Sequence, residues 1–380
     1  MRLLAFAFLL LLFSQAVAQD TVYARKVIRH LTSEKCFGRG YVKNGLCEAE
    51  KFITSELKNQ KPNSLFGKSY TQSFFHPVNT FPSSCELSIN GKLLKPGEDF
   101  ILSPEACSSK GKFSLQKVDT THFIYAEDPK ISLSLKNKLT YSVGREVAGF
   151  CGIEIDRTKF KEEPKEIEVN IKNKFVSKFE SKNIGCFING SLNSDSLIVF
   201  SAHYDHLGGM GKSTFFPGAN DNASGVSVIL NLIKYYQAHP PKYKTVFLFF
   251  AGEEAGLLGS KFFVESNMID LYKIKFLVNL DLLGTGDDGI MVVNGAVYEK
   301  EFSQLAKINA EQNLVKEIKK RGKASNSDHY WFSEKGVHCF FIYTMGGIKA
   351  YHDVYDIEKT LPLTDYVDVF HLLTEFISMF

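Results

Sequence analysis

Four apolar runs in the second half of the chain constrain the fold more than any other feature of the sequence. They span residues 196–202, 244–251, 276–280 and 337–343, and they alternate with stretches of helical spacing. Strands that alternate with helices are typical of an α/β domain. The sequence therefore predicts a mixed, largely parallel central sheet flanked by helices.

Polar side chains that can bind metal ions follow each of these runs. They are His203 and Asp205 after the first run, Glu253 and Glu254 after the second, Asp281 after the third, and His352 a short loop beyond the fourth. Asp221 lies in a loop rich in glycine and asparagine, just before a predicted helix. Ligands of open α/β sheets bind outside the carboxyl ends of the strands. Histidines and carboxylates at that edge match the ligand chemistry of zinc, and of paired zinc ions that activate water.

The local sequence suggests a role for several of these residues. Two adjacent carboxylates, Glu253 and Glu254, repel each other unless a cation is near, so one would bind metal and the other act as general base. Asp281 lies in an apolar run and must be paired or metal-bound if it is buried. Asp205 is close enough in sequence to orient His203. The alternatives are a helix cap or turn for Asp221, surface histidines, and two solvated glutamates.

The first 18 residues are typical of a secretory signal peptide. Arg2 precedes an apolar segment at 3–13, and residues 16–18 (AVA) form a cleavage site. A membrane anchor is the alternative, but the run is short for a bilayer span. No later segment offers such a span, so we expect an exported chain, periplasmic or secreted, without stable membrane insertion. A net charge of +3 gives no indication of nucleic-acid binding.

The remaining sequence divides by composition into three parts. Residues 19–81 form a helical N-terminal part, with a break at 38–40 and no clear period at 61–80. Residues 82–157 contain short alternating runs, which predict a small β-rich insertion or lid. Residues 158–380 form the α/β core, in which 167–171 alternates like an edge strand. The chain has seven cysteines, and the sequence leaves their pairing open, as it does the oligomeric state.

Six ordered motifs resemble those of the M28 family of zinc aminopeptidases and carboxypeptidases. They are AHYDHLG at 202–208, GANDNASG at 218–225, FAGEEAGLLGS at 250–260, NLD at 279–281, SDH at 327–329 and YH at 351–352. Together they cover roughly residues 175–380. The 82–157 region stands where many members carry a protease-associated insertion, of which it would be a divergent version.

The resemblance implies the zinc exopeptidase fold and two zinc ions in one cleft. Asp221 would bridge the ions, and the peptide bond after it is expected to be cis. His203 and Asp281 would complete one site, and Glu254 and His352 the other. Glu253 would be the general base, and Asp205 would orient His203.

The function that this resemblance implies is that of an exported exopeptidase acting on peptides, most simply an aminopeptidase. One alternative is a glutaminyl cyclase on the same fold, which would use one zinc ion. Another is a binding protein that has lost catalysis. The residues retain every expected ligand, which favours the peptidase, but they do not reveal the preferred terminal residue or the chain end that is cut.

Overall fold

A computed structural model describes residues 21–125, 127–128 and 130–380. The predicted signal peptide, residues 1–18, lies outside this part of the chain. Within it, the structure has no helix that is long and apolar enough to cross a membrane.

Seven α-helices surround the sheets in the described residues. They are α1 (21–31), α2 (Gly45–Gln60), α3 (Gly225–Ala238), α4 (Leu258–Glu265), α5 (Glu299–Gln312), α6 (His329–Glu334) and α7 (Tyr366–Ser378). A 3-10 turn at Phe37–Arg39 separates α1 from α2, which confirms the predicted break. Helix α3 ends at Ala238, just before His239 and two prolines.

The large sheet has nine strands. They are β1 (Asn63–Ser64), β2 (Thr71–Thr80), β11 (Lys174–Ile188), β12 (Leu197–His203), β15 (Lys244–Phe250), β16 (Ile274–Leu280), β17 (Ile290–Val293), β18 (Ile318–Lys320) and β19 (Cys339–Thr344). The order is β1-β11-β15-β12-β16-β19-β17-β18, and β2 also pairs with β11. The four central strands, β15, β12, β16 and β19, run parallel, whereas β11 and β17 join them antiparallel. The predicted fold class, a mixed and largely parallel sheet flanked by helices, is confirmed.

Both faces of this sheet are buried, which explains why its central strands read as continuous apolar runs. Successive side chains of β12 point to opposite faces of the sheet and pack in different cores. Ile198 and Phe200 pack with helices α2, α3 and α7 on one face, whereas Val199 packs with α4 and α6 on the other. The carboxyl ends of the parallel strands are left at one edge, where the functional side chains follow.

A second sheet of eight strands comes from the segment between β2 and β11. The strands are β3 (Cys85–Ile89), β4 (Lys92–Leu94), β5 (Phe100–Leu102), β6 (Ser109–Lys117), β7 (His122–Tyr125), β8 (Ile131–Lys136), β9 (Cys151–Asp156) and β10 (Glu166–Ile171). Their order is β4-β3-β10-β6-β7-β8-β9-β5. The sheet has its own core, which also packs Leu207, Met210 and Phe216 from the loops after β12. A two-stranded ribbon, β13 (Gly209–Met210) with β14 (Thr214–Phe215), completes the strands of the described residues.

One expectation about a strand is wrong in the structure. The segment 167–171 is not an edge strand of the α/β sheet, because β10 lies between β3 and β6 in the second sheet. Its alternation reflects a sheet with one buried face, which occurs at central strands too. Residues 71–80, which showed no clear period, form strand β2 along β11. We propose that the β-rich lobe is residues 85–171, longer than the predicted 82–157. All seven cysteines are free thiols.

Candidate metal centre

The seven side chains singled out by the sequence meet at the carboxyl edge of the parallel strands. His203 is the last residue of β12, Glu253 and Glu254 follow β15, and Asp281 follows β16 directly. These strands are neighbours in the sheet, so their ends bring the groups together although the residues are far apart in sequence. Asp221 and His352 reach the same place from loops.

The first cluster joins His203 to two carboxylates. Its Nε2 atom lies 3.3 Å from Oδ1 of Asp221 and 3.4 Å from Oδ2 of Asp281. Ligand atoms of His203, Asp281 and the neighbouring Glu253 all lie within 4.8 Å of one another. A cation of zinc size placed among these atoms would have both nitrogen and oxygen donors.

The second cluster uses the other oxygen of the same aspartate. Nε2 of His352 lies 3.1 Å from Oδ2 of Asp221 and 3.3 Å from Oε2 of Glu254. The Nδ1 atom of His352 is 3.0 Å from the carbonyl oxygen of Tyr141, on the lobe side of the site. That contact orients the imidazole with Nε2 toward the carboxylates. Each carboxylate oxygen of Asp221 therefore faces one histidine, Oδ1 toward His203 and Oδ2 toward His352.

A glycine turn and backbone hydrogen bonds fix the loop that carries Asp221. Gly218 has φ +63°, and a Cβ atom there would come within 2.2 Å of the Asp221 carbonyl oxygen, so the turn requires glycine. The peptide bond between Asp221 and Asn222 is cis, as expected. Asp356 accepts hydrogen bonds from the backbone N–H groups of Asn220 and Asp221 at 2.9–3.1 Å. This loop is thus fixed by backbone contacts that leave the Asp221 carboxylate free to face the two clusters.

Arg39 supports the site from outside the strand ends. Its side chain is completely buried, and it donates to five backbone carbonyls. Two of these belong to Gly218 and Asp221, at 2.8 and 3.1 Å. The sequence marked this position as a break between helices, but not as a support of the site.

The carboxylate of Asp205 holds the segment that bears the glutamates. It accepts hydrogen bonds from the backbone N–H groups of Glu253 and Glu254, at 3.2 and 3.3 Å, and from the Tyr41 hydroxyl at 3.0 Å. Its distance to His203 Nδ1 is 3.8 Å, and that nitrogen lies closer, at 3.1 Å, to the backbone oxygen of Asp205. Asp205 thus contacts both the first histidine and the turn of the two glutamates.

His206 takes part in the site although the sequence gave it no role. Its Nδ1 atom lies 2.6 Å from Oε1 of Glu254, and the imidazole is completely buried. Because Oε1 makes this contact, Oε2 is the oxygen of Glu254 that faces His352. The signal was present in the sequence, since His206 lies in the same AHYDHLG motif as His203, three positions further on.

Burial and neighbouring charges shift the pKa values of these groups in both directions. Burial lowers the pKa of His352, but Glu254 and Asp221 outweigh it and raise the pKa to about 9. Burial raises the pKa of Asp221, yet hydrogen bonds with His203 and His352 bring it well below its ordinary value. Burial, with Glu254 nearby, raises the pKa of Glu253 well above its ordinary value. Glu253 therefore binds a proton more strongly than Asp221 does.

The charges of the site are those of a cation-binding centre. Seven carboxyl groups are buried or half-buried here, facing the guanidinium of Arg39 and three imidazoles. They are Asp205, Asp221, Glu253, Glu254, Asp281, Asp328 and Asp356. Oδ1 of Asp281 is buried and has no hydrogen-bond partner among the described residues. Buried carboxylates need a compensating charge, and nitrogen with oxygen donors suits zinc, so the residues fit zinc ions.

Comparison with known proteins identifies the family. The model of peptidase family M28 matches residues 183–377, so this chain belongs to that family. Aminopeptidase YwaD of Bacillus subtilis (strain 168) is 28% identical over 174 residues, which are 45% of this chain and 37% of that protein. The chain spans less than two fifths of the length of this and other curated relatives that it matches.

Solved structures share the fold over nearly the whole chain. BSAP, a zinc aminopeptidase from Bacillus subtilis, superposes with a TM-score of 0.66 at 20% identity, and 93% of this chain and 94% of that one are covered. A glutaminyl cyclase from an Acidobacteriales bacterium gives 0.55 at 15% identity, with 95% and 94% covered. The fold is thus shared by a protein described as an aminopeptidase and by one described as a glutaminyl cyclase.

Proposed function

We propose that this chain is an exported dizinc exopeptidase that acts as an aminopeptidase on peptides. The observation that carries the proposal is the position of Asp221 between two donor clusters. His203 and Asp281 would hold one zinc ion, and Glu254 and His352 the other, with Asp221 shared. A shared carboxylate offsets the repulsion between two close dications. Zinc bound there would supply a Lewis acid for the peptide carbonyl and lower the pKa of a water molecule.

The roles of the remaining residues follow from their contacts. Glu253 lies beside the first cluster, and its raised pKa suits it to take a proton from the attacking water at a carboxylate oxygen. The same carboxyl group would then give the proton to the leaving amine. Asp205 holds the backbone of Glu253 and Glu254, which keeps the base and the ligand at fixed positions. The predicted signal peptide at 1–18 supports export.

Hydrolysis and metal content together test the proposal. Purified protein should release the N-terminal residue from aminoacyl fluorogenic substrates and peptides. Chelation should abolish this activity, and added zinc should restore it. A preparation that cyclises N-terminal glutamine and hydrolyses none of the peptides would show the cyclase reaction of the structural neighbour instead. Protein that retains zinc but catalyses neither reaction would indicate a binding function.

A further inference from the structure

His206 lies where the three groups of the second cluster meet. Its imidazole is completely buried, and its Nδ1 atom lies 2.6 Å from Oε1 of Glu254. The ring meets that of His352 edge to face, with 5.8 Å between the centroids. Its Cδ2 atom also packs on the loop of Asp221, since a Cβ atom at Gly218 would come within 2.4 Å of it. One side chain thus contacts all three sources of donors at this cluster.

The contact with Glu254 assigns the proton of this imidazole to Nδ1. An ionised carboxylate only accepts hydrogen bonds, so at 2.6 Å the Nδ1 atom of His206 donates to Glu254. The other ring nitrogen, Nε2, is buried and has no hydrogen-bond partner among the described residues. The backbone N–H of His206 donates to the carbonyl oxygen of Arg39 at 3.2 Å, which fixes the segment that carries the ring. Nδ1 is therefore the ring nitrogen through which this side chain acts.

This hydrogen bond gives the two oxygens of Glu254 different partners. Oε1 accepts from His206, whereas Oε2 lies 3.3 Å from Nε2 of His352. The last torsion of a glutamate side chain is soft, so a carboxylate without such a donor can present either oxygen or both. A hydrogen bond to an ionised group is about twice as strong as a neutral one and removes that freedom. Oε2 is left as the oxygen of Glu254 that is available to a metal ion.

The carboxylate of the first cluster is held in a different way. Oδ2 of Asp281, the oxygen that faces His203, accepts from the hydroxyl of Ser327 at 3.3 Å. Its Oδ1 has no hydrogen-bond partner in the described part of the chain. His206 approaches the shared Asp221, but its Nδ1 atom is 3.9 Å from Oδ1 of that residue, which is too far for a hydrogen bond. Loss of the imidazole donor should therefore act on the second cluster and spare the first.

We propose that His206 is a positioning residue of the second zinc site, whose Nδ1–H fixes Glu254 so that Oε2 binds the metal. The inference rests on the proposed dizinc function and adds a residue that determines how strongly the second ion is held. Groups that hydrogen-bond to metal ligands contribute about 10–100-fold to metal affinity. Without this donor, the second zinc ion should bind about 10–100-fold more weakly, while the affinity of the first site stays as it is.

Two substitutions separate the hydrogen bond from the packing of the ring. The amide nitrogen of asparagine occupies nearly the position of imidazole Nδ1, whereas that of glutamine occupies nearly the position of Nε2. His206→Asn thus keeps the donor to Glu254 but fills less space, and His206→Gln fills more space but loses the donor. Zinc titration of the full zinc-free chain against a chromophoric chelator, with elemental analysis at each step, measures both affinities.

The two variants should rank in opposite order to their volumes. His206→Asn should bind both ions within about threefold of the wild-type affinities, because the amide donates the same hydrogen bond. His206→Gln should keep the first affinity and lose about 10–100-fold at the second site. A greater loss in His206→Asn than in His206→Gln would show that the ring only packs. That result, equal losses in the two variants, or a joint fall of both affinities would overturn the inference.

His76→Gln is the matched control, because His76 is also buried and, in the described part of the chain, bonds to Ser181 and Pro77 instead of either cluster. It should leave both affinities unchanged. If His206→Gln does not fold, ¹⁵N NMR of the wild-type zinc-loaded chain decides. A protonated Nδ1 on His206 is expected, and an unprotonated Nδ1 would overturn the inference. These measurements need no turnover, so a chain that binds two zinc ions and cleaves no peptide would count against the proposed function alone.

Discussion

Replacement of Arg39 by methionine tests how the fold supports the metal centre. The side chain is completely buried, and its five N–H groups donate to the carbonyls of Leu31, Tyr204, Pro217, Gly218 and Asp221 at 2.7–3.1 Å. Methionine fills part of the space but donates no hydrogen bond. Five buried carbonyls would each lose a donor.

The expected loss of stability follows from these contacts. A buried acceptor left without a partner costs about 1–3 kcal/mol. At the lower end of that range five acceptors cost about 5 kcal/mol, and relief from burying a charge offsets part of this. We therefore expect the free energy of unfolding to fall by about 3–4 kcal/mol. Zinc affinity should fall by about tenfold or more, because the loop of Gly218 and Asp221 loses its support.

Denaturant unfolding of the zinc-free protein and a zinc titration measure these two effects. Arg157→Met provides the control, since that exposed side chain makes no hydrogen bond with described residues, and its effect should stay within about 0.5 kcal/mol. If Arg39→Met does not fold, Arg39→Lys takes its place in both measurements. Lysine retains the charge and three donors, so its losses of stability and of zinc affinity should lie between those of wild type and of the methionine variant. An Arg39→Met protein within 1 kcal/mol of wild type, with unchanged zinc affinity, would refute the reasoning.

Three further predictions concern the base, the shared ligand and a half-buried acid at a helix start. Glu253→Gln should keep two zinc ions, measured by elemental analysis, while peptide turnover falls by orders of magnitude, and near-normal turnover would contradict its role as base. Asp221→Ala should lose more zinc in a titration than His203→Ala or His352→Ala, because each histidine serves one cluster; equal losses would argue against sharing. Burial raises the pKa of Asp365 to about 6, so ionisation destabilises the fold as pH rises from 4 to above 6. Partial exposure of this residue reduces the effect, so Asp365→Asn should raise the free energy of unfolding by about 1 kcal/mol at pH 8 and by almost nothing at pH 4.5. Denaturant unfolding measures both values, and an equal gain at the two pH values would contradict the pKa shift.

The strands of the core were predictable because burial on both faces gives each of them a continuous apolar run in the sequence. β12, β15, β16 and β19 lie within two residues of the apolar runs, and the groups after them meet because parallel neighbours share an edge. The sheet assignment of 167–171 was not predictable from alternation. A period of two reports one buried face and gives no information about which sheet provides it.

The contacts around the site were less accessible to sequence reasoning. His206 and Arg39 act through partners that lie 48 and up to 182 residues away, and no local pattern records such pairs. The support of Glu253 and Glu254 by Asp205 is also long-range, because the partners lie 48 and 49 residues apart. It acts through the backbone N–H groups of the glutamates. Motif spacing identifies which residues gather, whereas hydrogen bonds between distant loops require the fold.

A crystal structure of zinc-loaded protein, with anomalous data collected at the zinc edge, tests the central claim most directly. The account predicts two zinc peaks, one on each side of the Asp221 carboxylate, the first beside His203 and Asp281 and the second beside Glu254 and His352. A single peak, or two peaks that do not share Asp221, would contradict the dizinc centre.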